Sequence, residues 1–205
     1  MRIITISREF GSGGRELGKR LSDALGVAYY DREIIAAVTK DGGLDIRYVE
    51  NLLNEKGVQT IPMTYRATLG SVGYLQSCKV DLLLRQKEVI EEIAALGRDC
   101  VIVGRNADVI LRRYQPLNLF VCAEAEAKLR RCMERAPEGE DLTEREMLRQ
   151  MRQIDRMRAQ TRVILSGSEW GQRYAYHLTV NTSDWKIKDM APAIAEFANR
   201  WFGRT

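Results

Sequence analysis

The chain carries a single histidine, His177, and only four cysteines, Cys78, Cys100, Cys122 and Cys132, none of them in a CxxC pair. One histidine, set in YAYHLTVNTS, reads as a strand or strand-edge residue and leaves little room for a histidine-based triad. Cysteines this far apart exclude the common zinc spacings. Cys100 and Cys122, in or beside apolar strand-like runs, read as buried reduced thiols. No apolar run approaches the length of a membrane span. MRIITIS leads straight into a strand without the basic, apolar and small-residue order of a signal peptide, so a soluble cytoplasmic protein with no membrane partner is expected. Excess charge is scarce as well, since a net +4 does not by itself call for a nucleic-acid partner. What is present, 205 residues with 45% hydrophobic and 29% charged, suits one enzyme-sized α/β domain.

The most informative stretch is IITISREFGSGGRELGKRLSDALG, from Ile3 to Gly26. Ile3, Ile4, Thr5 and Ile6 have the β-branched character of a strand buried on both faces of a parallel sheet. Gly11, Gly13 and Gly14 allow a tight turn and close backbone approach to a ligand. From Arg15 onward Leu17, Leu21, Ala24 and Leu25 recur at helical spacing, with Gly26 as the stop. The first-turn amides of that helix would favour an anion, and a phosphate suits the place. The full GxxxxGK[ST] pattern is absent: with Gly13 as its second glycine, Arg8 replaces the first, Gly14 the lysine and Arg15 the hydroxyl residue. The missing charge then falls to Arg15, Arg8 or a distant arginine. An ordinary strand-turn-helix connection is the competing reading.

Further along, strand and helix alternate. VAYYD, Val27 to Asp31, reads as a short strand, followed by helices over 33–40 and 46–53 and an irregular stretch over 57–77 around Pro62, Gly70 and Gly73. The spacing predicts a helix from Val80 to Leu96, a strand over CVIVG and a helix from Ala107 to Tyr114. Pro116 then precedes a strand over LNLFVCA and a helix from Glu124 to Arg135. This period implies a parallel sheet with helices on both faces, whose ligands bind beyond the carboxyl ends of the strands. Arg8, the glycines Gly11 to Gly14, Asp31, Arg32, Gly104, Arg105 and Asn106 all follow expected strand ends and would converge on one rim.

After Pro137, Thr143 and Glu146 form a capping-box pair opening a helix with Leu148, Met151 and Ile154 on one face. Arg145, Arg149, Arg152 and Arg156 follow at steps of four, three and four, and Arg158 and Arg162 extend the charge. Asp155 is the only acid between Glu146 and Glu169, whereas a solvated face mixes signs. Arginine's planar fork suits phosphate oxygens. A basic solvated helix is the plainer alternative, and Asp155 could orient Arg152 or Arg158, or hold a metal-bound water.

SREFGSGGRELGKRLS with LGVAYYDREII, VIVGRNADVIL, LNLFVCA, DRMRA and YHLTVNTS, in that order, resemble the cytidylate kinase-like proteins, relatives of bacterial cytidylate kinase among the nucleoside monophosphate kinases. The resemblance implies an α/β, three-layer P-loop kinase fold with a central parallel sheet, helices on both faces, a monophosphate-binding insertion and an arginine-rich lid. It places one domain over 1–205, with a core of 1–40, 80–135 and 175–205, an acceptor-side insertion at about 41–79 and a lid at about 136–174. It further implies ATP with Mg2+ and small nucleotide substrates rather than nucleic acid, with CMP as first acceptor.

By position, Arg8, Phe10, Gly11, Ser12, Gly13, Gly14, Arg15 and Glu16 would meet the donor phosphates, with Glu16 where cytidylate kinases carry threonine. Asn181 and Thr182 would border the donor base. Asp31, Arg32, Arg105 and Asn106 would form the acceptor side, and Arg15, Arg152, Asp155, Arg156 and Arg158 would act on the transferred group. Metal ligands and oligomeric state are not indicated. Two departures stand out: the loop has no lysine, and Asn106 replaces the aspartate of the family's GRD motif. The first motivates an alternative, a nucleotide-binding regulatory protein of weak or absent catalysis. The second bears on cytosine specificity. A kinase of another small molecule is also open.

Overall fold

The computed structural model describes residues 1–31, 79–135 and 142–203. The helices expected over 33–40 and 46–53, the irregular stretch over 57–77, Cys78 and Arg32 lie outside the described residues. In chain order the elements are β1 (Ile3–Arg8), α1 (Gly14–Leu25), β2 (Ala28–Tyr30), α2 (Lys79–Ala95), β3 (Cys100–Val103), α3 (Ala107–Ile110), β4 (Leu117–Cys122), α4 (Ala125–Glu134), α5 (Glu144–Ser166), β5 (Leu178–Asn181) and α6 (Ile187–Phe202). The strands form one five-stranded sheet in the order β2-β3-β1-β4-β5. Every pairing in it is parallel, as in Ile3 beside Cys100 and Ile6 beside both Val103 and Leu119.

Strand periodicity divides the core. Ile4, Ile6, Val101, Val103, Leu117, Leu119 and Val121 point to the face covered by α1 and α6, where they meet Leu17, Leu21, Ile187, Ala191 and Ile194. Ile3, Tyr30, Cys100 and Ile102 point the other way, onto Ile90, Ile93 and Ala94 of α2 and Ala107 of α3. Each fully buried aliphatic side chain of this kind contributes about 1.5–3 kcal/mol relative to exposure. The result is the three-layer α/β P-loop fold, with β1 central and flanked by strands reached from opposite directions in the chain. That arrangement opens a crevice at the carboxyl edge. Among the described residues no helix is long and apolar enough to cross a membrane.

Three local outcomes differ in detail from the sequence pattern. The helix expected from Ala107 to Tyr114 stops at Ile110 and tightens into a 3-10 turn over Arg112–Tyr114, because Gln115, at φ +49°, precedes Pro116 and cannot continue the helix. On α5 the fully buried face is Met147, Met151 and Ile154, while Leu148 is only partly buried against Cys132 and its neighbours. Cys122 is half-buried, whereas Cys100 is buried and its thiol is pushed up to about 12 by that burial. His177 lies one residue before β5; its Nδ1 accepts from the Asn118 N–H at 2.9 Å, a sheet-edge bond.

Candidate functional site

β1 delivers the chain at Arg8 into a loop that runs through Gly13 into α1. Gly11 and Gly13 have φ of +77° and +79°, which favours glycine. A Cβ on Gly11 would come 2.8 Å from Cys132 Sγ, and one on Gly13 2.8 Å from Ile187 Cδ1, so the loop is wedged between α4 and α6. Ser12 Oγ donates to the Glu9 carbonyl at 2.8 Å. The Ser12 carbonyl accepts from Thr182 Oγ1 at 2.7 Å, and Arg131 Nη1 donates to that hydroxyl at 2.9 Å. Glu9 accepts from Lys128 Nζ at 2.8 Å and from the Ala123 N–H at 3.3 Å. The N-cap of α1, Gly13, has no side chain to offer, and the helical ladder begins with the Leu17 N–H on the Gly13 carbonyl at 2.9 Å. The preceding amides therefore face the loop without helical partners, an arrangement that favours an anion.

The long helix α5 clasps this loop from the other side. Its capping box forms as the sequence indicates: Thr143 Oγ1 accepts from the Glu146 N–H, and Glu146 accepts in return from the Thr143 N–H. Three turns later Asp155 Oδ1 accepts from the Phe10 N–H at 2.8 Å and from Arg158 Nη1 at 3.0 Å. Arg158 Nη1 also donates to the Arg8 carbonyl at 2.9 Å, and its guanidinium stands 5.9 Å from the centre of the Phe10 ring. Burial pushes the Asp155 carboxyl up from its ordinary value, against the pull of Arg158 and the Phe10 amide. Of the two helical pairs open to Asp155, the structure forms the one with Arg158.

Arg15 turns sideways along the sheet edge. Its Nε and Nη2 donate to Asp31 Oδ2 at 3.0 and 2.8 Å, and the Asp31 side chain is only 8% exposed. Tyr29 Oη donates to the Arg15 carbonyl at 3.3 Å, and burial, then the Asp31 charge, pushes the Tyr29 hydroxyl up. Beyond β3 the backbone takes three successive left-handed conformations, Gly104 at φ +84°, Arg105 at +58° and Asn106 at +54°. Asparagine tolerates this region, but for arginine it is sparsely populated and costs on the order of 1–3 kcal/mol, a strain common at ligand sites. In this conformation Arg105 Nη1 donates to Gln86 Oε1 at 3.2 Å, reaching α2.

The remaining sequence-marked residues sit around this centre. Arg152 and Arg156 are exposed and, with Arg145 and Arg149, line an open groove along the outer face of α5. None of the four forms an ion pair with a described residue. Glu16 points away from the loop toward α4, accepting from Arg20 Nε at 2.9 Å and Arg135 Nη2 at 2.6 Å. Burial pushes its carboxyl up, but those hydrogen bonds outweigh it and leave the pKa below the ordinary value. Asn181 Oδ1 accepts from the Ser183 N–H and Oγ at 3.0 and 2.7 Å, folding back on its own loop. Arg32 lies outside the described residues. Sequence reasoning missed Glu9, Gln86, Lys128 and Arg131, the residues that brace the loops. Glu9 lies inside the SREFGSGGRELGKRLS motif but was given no role there, Lys128 carried no periodic or motif signal, and Arg131 was visible only as one of the bases closing a helix.

Magnesium accompanies ATP in kinases of this fold and takes oxygen ligands, carboxylates first among protein groups. Asp31 is held by Arg15, Asp155 by Arg158 and Glu9 by Lys128. Among the described residues no group of three acidic, histidine or cysteine side chains could hold a metal ion. The described residues therefore do not form a magnesium site held by protein groups alone.

Comparison with solved structures supports the fold. An uncharacterized protein from Eubacterium ventriosum ATCC 27560 superposes with a TM-score of 0.71 at 24% identity, over 97% of this chain and 99% of that one. Shikimate kinase from Acinetobacter baumannii, in complex with shikimate, superposes at 0.54 with 14% identity, over 98% and 94%. The Bacteroides thetaiotaomicron shikimate kinase gives 0.53 and 13%, over 97% and 98%. These likenesses are of fold alone. A comparison with curated proteins found no match. The family model described as the cytidylate kinase-like family matches residues 3–184, most of the chain and every element of the rim described above, and the protein belongs to that family.

Proposed function

We propose that the protein is an ATP-dependent phosphotransferase that moves the terminal phosphoryl group of ATP to CMP or a similar phosphorylated or hydroxyl acceptor. The observation that carries this reading is the clasp of the glycine loop between the α1 N-terminus and the Asp155–Arg158 pair of α5. It brings backbone amides and a guanidinium group of sequence-distant segments together at one loop, an arrangement that suits an anion. In the reaction the acceptor oxygen forms a new bond to the γ-phosphorus as the bond to the ADP oxygen breaks, and a hydroxyl acceptor also gives up its proton. Such transfers ask mainly for positioning and charge neutralisation. The loop amides would hold the donor and Arg105 the acceptor phosphate. Closure of α5 would bring Arg152 and Arg156 over the transferred group and exclude water. Shikimate kinase, of the same fold, carries a hydroxyl acceptor in its name and its complex, so alcohols belong in the acceptor panel beside nucleotides.

A coupled assay of ADP formation from ATP and magnesium tests the reading, with CMP, dCMP, UMP, AMP, GMP, shikimate and no acceptor in separate wells. Turnover that depends on one acceptor supports the kinase and names its substrate. ATP binding without turnover in any well favours the second reading, a nucleotide-binding regulatory protein. That alternative is motivated by the lysine-free loop. No ATP binding at all contradicts both.

A further inference from the structure

The loop lacks its lysine, and the first arginine of the helix, Arg15, is already committed to a buried carboxylate through two hydrogen bonds. Arg8 is different. It stands at the carboxyl end of central β1, and its side chain runs over Gly14, where an added Cβ would lie 2.5 Å from Arg8 Cβ and 3.0 Å from its Cγ. The guanidinium ends flat against Gly104, where a Cβ would come within 1.8 Å of Nη1 and 2.8 Å of Cζ. Two glycines on different segments thus leave the space that one arginine fills. Among the described residues none accepts a hydrogen bond from this guanidinium. Its neighbours include Arg158 and Arg15 as well as Asp31 and Tyr29, and burial, then the Arg158 charge, pushes its pKa down to about 9, still protonated at neutral pH. A half-buried forked cation, pressed by like charges and without an acceptor among the described residues, has need of an anion.

Resting on the phosphotransferase reading above, we infer that Arg8 supplies the charge of the missing loop lysine, reaching the γ-phosphate of the donor from the end of β1 rather than from the start of α1. Its position accounts for that assignment. Gly14 belongs to the donor loop, and Gly104 opens the Arg105 turn on the neighbouring strand, so the guanidinium lies between the two sides that a transferred phosphoryl group must cross. The fork presents a rigid, planar pair of donors to two phosphoryl oxygens, where a lysine offers a compact point charge on a flexible stem. Arg8 is then the residue that distinguishes a nucleoside triphosphate from a diphosphate.

The experiment compares wild type with Arg8→Met, whose straight apolar stem still covers Gly14, using the magnesium complexes of ADP and of a non-hydrolysable ATP analogue with an imido link. Dissociation constants come from titration calorimetry and thermal stability is recorded without nucleotide. Wild type is expected to prefer the triphosphate analogue at least tenfold. R8M is expected to bind both nucleotides within about twofold of each other, with its ADP affinity unchanged. Nucleotide-free R8M should melt no lower than wild type, because a guanidinium with no acceptor among the described residues has been removed. A melting temperature that falls sharply, or failure to fold, would make Arg8 a structural brace and overturn the inference. So would R8M that keeps the wild-type preference, or wild type that binds both nucleotides equally. Wild type that binds neither nucleotide overturns the phosphotransferase reading and this inference with it.

Discussion

The Phe10 N–H donates to the Asp155 carboxylate at 2.8 Å, joining the loop after β1 to the middle of α5 across 145 residues of chain. The same carboxylate takes Arg158 Nη1, which in turn reaches the Arg8 carbonyl. One acid therefore sets the distance between the glycine loop and the helix that bears the arginine stripe. Asp155→Ala leaves the Phe10 amide and the Arg158 guanidinium with one partner fewer, at a cost on the order of 2 kcal/mol. Urea denaturation should show a lower midpoint with an unchanged slope. Calorimetry should show weaker ATP binding; unchanged affinity would mean the clasp has no part in forming the site.

The same residue makes a pH prediction. Burial raises the Asp155 carboxyl above its unfolded value. A raised group contributes stability that is fully present below the unfolded pKa and is lost as pH rises through the folded one. Asp155→Asn removes that titration. The stability of wild type relative to D155N should therefore grow as pH falls from neutral into the acid range, followed by urea melts at each pH. A difference that shrinks toward acid would contradict the direction of the shift.

Arg15 and Asp31 should behave as a coupled pair. Arg15→Gln removes the bidentate guanidinium from a carboxylate that is only 8% exposed. The loss is expected on the order of 2 kcal/mol, since Arg15 itself keeps 28% exposure and water screens part of the interaction. Combining R15Q with Asp31→Asn should recover about half of that, so a double-mutant cycle that returns simple additivity would dismiss the coupling.

A second ion pair is more deeply set. Arg162 Nη1 bonds Asp108 Oδ2, with side chains 4% and 3% exposed, and its guanidinium lies 5.3 Å from the centre of the Tyr176 ring. It ties the end of α5 to α3, far along the helix from the stripe. Arg162→Met strands a buried carboxylate and should cost about 3–5 kcal/mol, whereas R162M with Asp108→Leu should cost much less, because both charges leave together. Equal melting temperatures for the single and double variants would contradict this account.

Arg156 tests the stripe. It is exposed and has no ion pair among the described residues, so Arg156→Ala should leave stability within about 0.5 kcal/mol. Its proposed contact is with the group in transfer, so kcat should fall while acceptor KM stays close to wild type. Equal losses in both would assign it to binding alone.

Much of this architecture was legible because it is governed by neighbours in sequence. The β-branched run Ile3 to Ile6 could only be a two-sided buried strand, Gly26 ended α1 in the left-handed conformation expected of it at φ +63°, and Thr143 with Glu146 wrote the start of α5. The convergence of Arg8, the glycine loop, Asp31 and Arg105 on one rim followed from strand ends in a parallel sheet, a rule of topology rather than of contact. The turn at Arg105 and Asn106 was readable only as a strand end. Its three left-handed residues come from how β3 must re-enter α3.

Where each cation points was decided by the tertiary structure alone. In sequence Arg8 and Arg15 are interchangeable candidates for the missing lysine, seven positions apart and equally basic. In the fold, Asp31 at the end of β2 claims Arg15, while Gly14 and Gly104 open a slot for Arg8. Glu16, in the place of a hydroxyl residue, is drawn off by Arg135 from α4. The sequence by itself determined the strands, the loop and the helix starts, because dihedral preference, capping and apolar period act within a few residues. The direction of each charged side chain waited on partners tens to hundreds of residues away, because desolvation and ion pairing are properties of the assembled interior.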